Sequence, residues 1–204
     1  MLLLLASVLC LVGFSGACSC YPRHPQWQYC AAGYVVVGTT TDFYFPGYNP
    51  DNPNEGEKVF TLEIENQYKG PQFPNKQNFT TAPHEALCGT HLINNTKYLL
   101  TGRVNVDGSA TVYLCDWHSP WSNLTPEQQR GIEEGIYQNN CGCDVCTVGG
   151  GSPCGERSCP YDYTIGRCFY LHSYCKEQCL PNDAESCQCN WDSNEAFDRC
   201  ISTP

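Results

Sequence analysis

The sequence predicts a mainly β protein, with a small antiparallel barrel or sandwich followed by a compact disulfide-rich domain. Three observations support this fold class. Segments with strand character follow one another without intervening helices, and Asp107-Gly108 separates two of them as a tight hairpin turn would. The cysteines are also unevenly distributed, since residues 18–140 contain five and residues 141–204 contain eleven. Disulfides are therefore expected to replace a hydrophobic core in the second, smaller part.

The expected strands are recognised by composition and by alternation. Tyr34–Thr41 is a β-branched run, whereas Asp42–Lys58 is rich in proline and glycine and is interpreted as a long exposed loop. Val59–Tyr68 alternates apolar and polar residues, which is typical of a half-buried strand. Tyr98–Val106 and Ala110–Cys115 are the two strands of the expected hairpin. Together these segments indicate an antiparallel sheet that closes or folds on itself.

A helix is expected after the strands. Thr125 can cap it, Pro126 suits its first turn, and Gln128 stands where a capping box closes. We expect this helix to run to about Gln138. The segment Asn139–Cys146 is then interpreted as the junction between two domains.

The amino-terminal segment Met1–Ala17 is interpreted as a signal peptide. Its apolar stretch is too short for a membrane span, and Ser15 and Ala17 are small residues before a cleavage site. A bacterial lipoprotein signal also ends just before a cysteine, but it usually has Leu or Val where Ser15 stands. Cleavage would make Cys18 the first residue of a secreted chain, found in the extracellular space or matrix. The first expected domain then extends from residue 18 to the junction at residues 139–146, and the second extends from there to residue 204.

Charge and composition narrow the function. The net charge of −10 argues against nucleic acid or an anionic membrane surface as a partner. The sequence offers few candidate catalytic residues. It has five histidines, no His-Glu-x-x-His motif and no glycine-rich phosphate loop. We therefore expect a protein that is not an enzyme, has no cofactor of its own and has no membrane span after the signal peptide.

The cysteines point to disulfides. Removal of Cys10 with the signal peptide leaves sixteen, an even number, and their spacing leaves the connectivity open. Cys141-Gly-Cys143-Asp-Val-Cys146 could also be a metal cluster, but disulfides are favoured in an oxidising compartment.

The motif Cys18-Ser19-Cys20 is the strongest candidate for a functional site. In an extended segment, residues two apart point the same way, so bridging both cysteines would turn Ser19 outward and fix the α-amine of Cys18. An α-amine has a pKa of about 7.7–8. In its neutral form it can chelate a metal ion together with the adjacent carbonyl oxygen, and a catalytic zinc keeps a position open for such a group. The alternative is that the two cysteines only staple the terminus to the body.

Other residues have more ordinary interpretations. His24 is expected to cap or to pack beside Pro25, and Trp27 and Trp121 are expected in the core. A catalytic pair of His84 and Glu85 is disfavoured.

Three sequons predict N-glycosylation, at Asn78, Asn94 and Asn123. The third lies beside the expected helix cap, where a glycan would be crowded, so Asn78 and Asn94 rank above Asn123.

Several motifs in a fixed order carry a resemblance to a known family. They are Cys18-Ser19-Cys20 with Pro22, His24-Pro25-Gln26, Cys30, Tyr68-Lys69-Gly70, Glu85-Ala86-Leu87-Cys88-Gly89, Pro120-Trp121-Ser122-Asn123-Leu124, Gln129-Arg130-Gly131, Gly142-Cys143, Cys146-Thr147-Val148, Pro153-Cys154, Cys179-Leu180-Pro181 and Cys189-Asn190-Trp191. Through them, nearly all of residues 18–191 resembles the tissue inhibitors of metalloproteinases.

The resemblance implies both a fold and a function. The fold is an N-terminal netrin-like domain, a five-stranded barrel of the OB type with flanking helices, from Cys18 to Cys143, followed by a small C-terminal domain. The function is inhibition of secreted zinc metalloendopeptidases of the matrix metalloproteinase type, one to one and without catalysis. A proenzyme contact through the C-terminal domain is left open.

The resemblance also assigns site residues. The amine and carbonyl of Cys18 would bind the catalytic zinc of the target protease, and Ser19 would enter its S1′ pocket. The other protease-binding residues are Cys20, Tyr21, Pro22, Glu85, Ala86, Leu87 and Cys88. Tyr21 departs from the family pattern, in which this position is usually small.

The resemblance further implies six disulfides, which are Cys18–Cys88, Cys20–Cys115, Cys30–Cys143, Cys146–Cys189, Cys154–Cys159 and Cys168–Cys179. It leaves Cys141, Cys175, Cys187 and Cys200 for two additional bridges. These extra cysteines, and the absence of an Arg-Ala-Lys stretch at Val35–Thr39, indicate a divergent member of the family, and an invertebrate origin is left open. The alternative function is a non-inhibitory netrin-like extracellular binding or matrix protein.

Overall fold

A computed structural model describes residues 18–148, 153–162, 166–180, 183–192 and 194–202. The expected signal peptide lies outside these ranges. Within them, no helix is long and apolar enough to cross a bilayer.

The N-terminal part contains six strands and three helices. In chain order they are α1 (Pro25–Ala31), β1 (Tyr34–Tyr44), β2 (Lys58–Lys69), β3 (Lys76–Thr81), β4 (Lys97–Val104), β5 (Ala110–Thr111), β6 (His118–Pro120), α2 (Pro126–Glu133) and α3 (Ile136–Asn139). The described C-terminal part contains β7 (Asp144–Thr147), β8 (Ser158–Tyr161), α4 (Arg167–His172), β9 (Tyr174–Leu180), β10 (Asp183–Asp192) and α5 (Glu195–Ser202).

Five strands close into a barrel, which confirms the predicted fold class. The strand order is β1-β2-β3-β5-β4, and β4 pairs back with β1. All neighbours are antiparallel except β3 and β5, and β6 extends the sheet beside β4. Closure leaves β1 paired on both sides, so Val36 faces Gln67 in β2 and Leu100 in β4.

Two apolar clusters explain why β1 lacks the usual alternation. Tyr34 and Val36 point into the barrel, where they pack with Phe60 and Leu62 of β2. Val35 and Val37 point the other way. They pack in a second cluster whose other buried members are Tyr29, Leu99, Trp117, Leu124, Ile132, Tyr137 and Tyr174. A strand buried on both faces appears as a continuous apolar run.

The hairpin forms at Asp107-Gly108, but its second strand is shorter than predicted. Only Ala110 and Thr111 pair with β4. The chain then leaves β4, because the Val112 N–H donates to Thr80 O at 2.9 Å and the Leu114 N–H donates to Cys88 O at 2.8 Å. Strand β3 was not predicted, since its sequence is mostly polar and its pairing with β2 is decided by the closed barrel.

The capping box predicted at Thr125 is present. Thr125 Oγ1 accepts the Gln128 N–H and Gln128 Oε1 accepts the Thr125 N–H, both at 3.1 Å. The predicted extent of the helix is wrong, however, because α2 ends at Glu133. Gly135 has φ +69°, and the short helix α3 begins after this left-handed residue.

Eight disulfides join the sixteen cysteines of the described chain. They are Cys18–Cys88, Cys20–Cys115, Cys30–Cys141, Cys143–Cys189, Cys146–Cys154, Cys159–Cys175, Cys168–Cys200 and Cys179–Cys187. The first two are those that the resemblance implied. The expected bridges Cys30–Cys143, Cys146–Cys189, Cys154–Cys159 and Cys168–Cys179 are wrong in this structure.

The positions of the cysteines in the fold explain why the observed pairs differ from the expected ones. Cys143 is buried in the C-terminal cluster with Cys159, Cys175 and Cys189, so the exposed Cys141 is the one that reaches Cys30. Cys179 and Cys187 lie directly opposite each other in the β9–β10 ladder, which makes them a cross-strand bridge. The four cysteines left over by the resemblance therefore do not pair among themselves.

Candidate functional site

The segment Cys18–Pro22 precedes α1, has no regular secondary structure and is held to the barrel at two points. Cys18 is bridged to Cys88 and Cys20 to Cys115, each with a Cα–Cα distance of 5.2 Å. Ser19 is exposed between them. The two bridges lie only two residues apart, so they restrain both the position and the direction of this short segment.

The loop joined to Cys18 is itself tightly hydrogen-bonded. Glu85–Leu87 forms a single 3₁₀ turn, which ends at Cys88 with φ +65° and ψ 21°. The Cys88 N–H donates to Glu85 O and the Gly89 N–H donates to His84 O, both at 2.9 Å. Because Cys88 O also accepts the Leu114 N–H, the loop is tied to the segment that carries Cys115.

Gly89 is required at the base of this loop. A Cβ at this position would lie 2.0 Å from the carbonyl oxygen of Ala82, closer than any side chain can approach. The close backbone contact explains the Cys88-Gly89 pair in the sequence, and it fixes the direction in which the loop leaves β3.

Together these two segments form one exposed surface, which we call the ridge: Cys18–Pro22 and Glu85–Cys88. Glu85, Ala86 and Leu87 are exposed, and Leu87 has 45% of its surface in contact with solvent. Tyr21 is 42% exposed. The Cys18–Cys88 bridge thus brings all nine residues predicted to bind a protease onto two adjoining segments.

His84 and Glu85 are not arranged as a catalytic pair. The Nε2 of His84 is hydrogen-bonded to the carbonyl oxygen of Pro53, in the loop between β1 and β2. Glu85 instead interacts electrostatically with Lys58. The Nζ of Lys58 donates to Thr90 O at 3.4 Å below the loop. Burial lowers the pKa of Lys58, and the nearby Glu85 carboxylate partly offsets this effect.

Polar groups also lie beyond the Cys20–Cys115 bridge. His118 Nε2 is hydrogen-bonded to Thr90 Oγ1 at 2.9 Å, and burial lowers the pKa of His118. Burial raises the pKa of Asp116, although its carboxylate accepts the Tyr113 N–H at 2.8 Å. These bonds hold the 113–118 segment in place behind the ridge.

His24 lies two residues after Pro22 of the ridge and caps α1, as expected. Its Nδ1 accepts the Gln26 N–H at 3.2 Å, so the proton of the neutral ring is on Nε2, which donates to Phe169 O at 3.0 Å. The ring is buried, and this burial lowers the pKa of His24 to about 4. His24 is therefore neutral near neutral pH.

Sequence reasoning missed two polar residues that position α1. Gln26 is fully buried, and its side-chain amide bonds both backbone groups of Cys175. Lys69 donates from Nζ to Tyr29 O at 3.1 Å and to Cys30 O at 2.6 Å, which satisfies carbonyls at the end of the helix. Both residues belong to motifs of the resemblance, but only the contacts reveal their roles.

The tryptophans predicted for the core lie at its margins. Trp27 is half-buried against the C-terminal cluster, and Trp121 is half-buried against the second cluster of the N-terminal part.

The three sequons lie in different settings. Asn78 is exposed in β3, where its side chain bonds Thr61 and Tyr44. Asn94 lies in an exposed turn before β4. Asn123 is exposed, but Thr125 of its sequon caps α2.

Among the described residues, the potential metal ligands Glu177, Cys179 and Cys187 lie close together. The two sulfurs of this group are bonded to each other, so they cannot act as thiolate ligands. Cys141, Cys143 and Cys146 each form a disulfide with a different partner, which excludes the alternative of a metal cluster there.

Comparison with known proteins gives one family. The family model described as "Tissue inhibitor of metalloproteinase" matches residues 16–192. Metalloproteinase inhibitor 4 of Mus musculus is 30% identical over 152 residues, which cover 72% of this chain and 67% of that protein. Metalloproteinase inhibitor 3 of Gallus gallus is 34% identical over 131 residues, covering 63% and 59%. Metalloproteinase inhibitor 2 of Homo sapiens is 32% identical over 155 residues, covering 71% and 65%.

Proposed function

The chain belongs to the tissue inhibitor of metalloproteinase family, a family of inhibitors rather than enzymes, and on that premise we propose that it inhibits zinc metalloendopeptidases of the matrix metalloproteinase type. The observation that carries the proposal is the pair of bridges Cys18–Cys88 and Cys20–Cys115, with the exposed Ser19 between them. Such an arrangement suits a segment that enters a cleft without changing shape.

The proposed mechanism begins with removal of residues 1–17, which gives Cys18 a free α-amine. The neutral amine and the carbonyl oxygen of Cys18 then chelate the catalytic zinc of the protease. They fill the position where water binds during catalysis, so the protease loses its nucleophile. The amine must be unprotonated to bind, and its pKa of about 7.7–8 makes that form accessible near neutral pH.

The remaining residues of the ridge would supply contact area. Ser19 enters the S1′ pocket, and its small side chain loses little solvation there. Cys20, Tyr21 and Pro22 continue along the cleft, while Glu85–Cys88 covers the unprimed side. Because the bridges and the 3₁₀ turn hold both segments before binding, association costs little conformational entropy.

The proposal includes the place of action and the domain roles. Eight disulfides suit an oxidising, extracellular location. Residues 18–143 are the inhibitory domain, and residues 144–204 are a second domain that could add a proenzyme contact. A single ridge on each chain supports one-to-one binding.

The decisive experiment compares protein with a verified Cys18 terminus with protein that carries one extra alanine before it. The extension converts the amine into an amide nitrogen, which has no available lone pair. We expect inhibition constants on a panel of matrix metalloproteinases to rise by about three orders of magnitude. Both proteins must show the same disulfide map.

Other outcomes would count against the proposal. Equal inhibition constants for the two proteins would exclude zinc chelation by the amine. Absence of inhibition by the native protein would favour the alternative of a non-inhibitory netrin-like extracellular binding or matrix protein.

A further inference from the structure

Arg23 directly follows Pro22 of the ridge, and its guanidinium lies over two aromatic rings. The guanidinium carbon lies 4.5 Å from the ring centre of Trp27 and 5.2 Å from that of Tyr21. Trp27 is part of α1 and is half-buried, whereas Tyr21 belongs to the ridge. Stacking uses the faces of the guanidinium plane and leaves the N–H donors at its edge available.

Arg23 has no ion-pair partner in the part of the chain that the structure describes. Asp116 lines the same groove of about 240 Å³ as Arg23. The carboxylate of Asp116 already accepts the Tyr113 N–H at 2.8 Å. Arg103 lines this groove too, so two arginines face one aspartate. The groove is therefore locally cationic on a chain with a net charge of −10.

The position of Arg23 places it within reach of anything that docks on the ridge. It is four residues from Ser19, a distance of at most about 14 Å in an extended chain. A standard protein interface buries about 800 Å² on each partner, which corresponds to a disc about 16 Å in radius. An interface centred on Ser19 would thus include the backbone of Arg23.

We propose that Arg23 determines selectivity by binding a carboxylate at the rim of the target protease's active-site cleft. This inference rests on the proposed function, because the ridge must dock for Arg23 to meet the protease. A carboxylate matches both the charge of the groove and the planar fork of the guanidinium, which can donate two parallel hydrogen bonds. Proteases without an acidic residue at that point leave the guanidinium unpaired when they dock and bind more weakly.

Tyr21 gains a role in the same arrangement. Its ring lies against the guanidinium, so it acts as a positioning residue through Arg23. The family usually has a small residue at the position of Tyr21. A tyrosine there provides a ring that contacts Arg23, so the two residues form one recognition element.

The test uses the full chain with its native terminus and the variants Arg23→Ala, Arg23→Lys and Tyr21→Ala. The matched control is Lys76→Ala, which also removes one positive charge and breaks only an exposed ion pair with Glu63. Inhibition constants are measured on a panel of matrix metalloproteinase catalytic domains, each at low and at high salt. Disulfide maps and circular dichroism establish that every variant is folded.

We expect Arg23→Ala to weaken inhibition at least about tenfold for the proteases that are inhibited best, with a smaller loss at high salt. Arg23→Lys should restore only part of the loss, since an ammonium cannot donate in the same planar fork. Tyr21→Ala should weaken inhibition less than Arg23→Ala does, and its effect in the Arg23→Ala background should be smaller than its effect in the native chain. Lys76→Ala should match the native protein.

Each contrary result has a distinct meaning. If Arg23→Ala inhibits every protease as well as the native chain does, the carboxylate contact does not exist, although the proposed function stands. A loss that is independent of salt and fully restored by Arg23→Lys would show a packing role and overturn the inference. If the native chain inhibits no protease, the proposed function fails and this inference fails with it.

Discussion

Gln26 holds the backbone of Cys175 with both ends of its side-chain amide. Its Oε1 accepts the Cys175 N–H and its Nε2 donates to Cys175 O, each at 2.8 Å. Nε2 also donates to Asn140 O at 3.1 Å. A side chain from α1 thus pairs with β9 much as a neighbouring strand would, and it joins the two parts of the chain four residues after the ridge.

Apolar contacts also join the N-terminal and C-terminal parts of the described chain. Tyr174 of β9 is buried in the cluster that contains Tyr29 and Tyr137 of the N-terminal part. Its hydroxyl donates to Glu127 O at 2.7 Å. The C-terminal part of the described chain therefore contributes to the packing behind α1 and α2, and its removal has consequences for stability.

The first prediction is that the fragment 18–143 folds and inhibits alone, but with reduced stability. Cys143 must be replaced by Ser in this fragment, because its partner Cys189 is absent, whereas Cys141 stays to bridge Cys30. Loss of Tyr174 and of the Gln26 hydrogen bonds should lower the free energy of unfolding by about 3–5 kcal/mol. Denaturant unfolding and inhibition constants of the fragment and the full chain provide the measurement.

A fragment that is folded but inactive, while the full chain inhibits, would show that the domain boundary is misplaced or that the second domain is needed to position the ridge. The control is a fragment that keeps Cys143 and replaces Cys141, which should misfold or form dimers.

The second prediction concerns the pH dependence of stability through His24. Its folded pKa is about 4, below the usual 6.5, so the unfolded chain binds the proton more tightly. The contribution of neutral His24 is fully present above pH 6.5 and is lost as the pH falls to about 4. The total loss should be about 3 kcal/mol.

His24→Asn tests this prediction, because Asn can cap a helix but does not titrate. We expect the variant to be less stable at neutral pH, since Phe169 O loses its donor. Its free energy of unfolding should also fall less steeply between pH 6.5 and 4. Parallel curves for the variant and the native chain would mean that His24 does not titrate in this range.

The third prediction concerns Ser19. Ser19→Gly should weaken inhibition a few-fold, through lost contact and about 0.5–1 kcal/mol of added backbone freedom. Ser19→Arg should weaken it at least about a hundredfold, because an unpaired charge in an apolar pocket costs several kcal/mol. If neither variant changes the inhibition constants across a protease panel, Ser19 does not enter the pocket.

The fourth prediction concerns the loop on the other side of the ridge. Leu87 is exposed in the free protein, and burial against a protease should contribute about 1–2 kcal/mol. Leu87→Ala should therefore weaken inhibition by about five- to thirtyfold without changing the free energy of unfolding. Ile201→Ala is the control, since Ile201 is a similarly exposed aliphatic residue in α5. Equal inhibition by the Leu87 variant and the control would remove this loop from the interface.

Local patterns were enough to predict parts of the fold. The alternation in Val59–Tyr68 predicts β2, Asp107-Gly108 predicts the hairpin, and Thr125 with Gln128 predicts the start of α2. In each case the signal lies in neighbouring residues, which set backbone conformation and burial directly. Strand β3 carries no such signal, because its polar residues become a strand only through pairing with β2 and β5.

The sequence by itself determined the fold class, the family and the composition of the ridge, since each depends on residue types in a fixed order. Tertiary structure alone decided which cysteines meet: Cys141 and Cys143 are two residues apart, and only packing turns the second into the C-terminal cluster. It also decided the partners of Gln26 and the contacts of Arg23 with the rings of Tyr21 and Trp27. Spacing along a chain limits which residues can meet, but contacts between distant segments depend on how the whole chain packs.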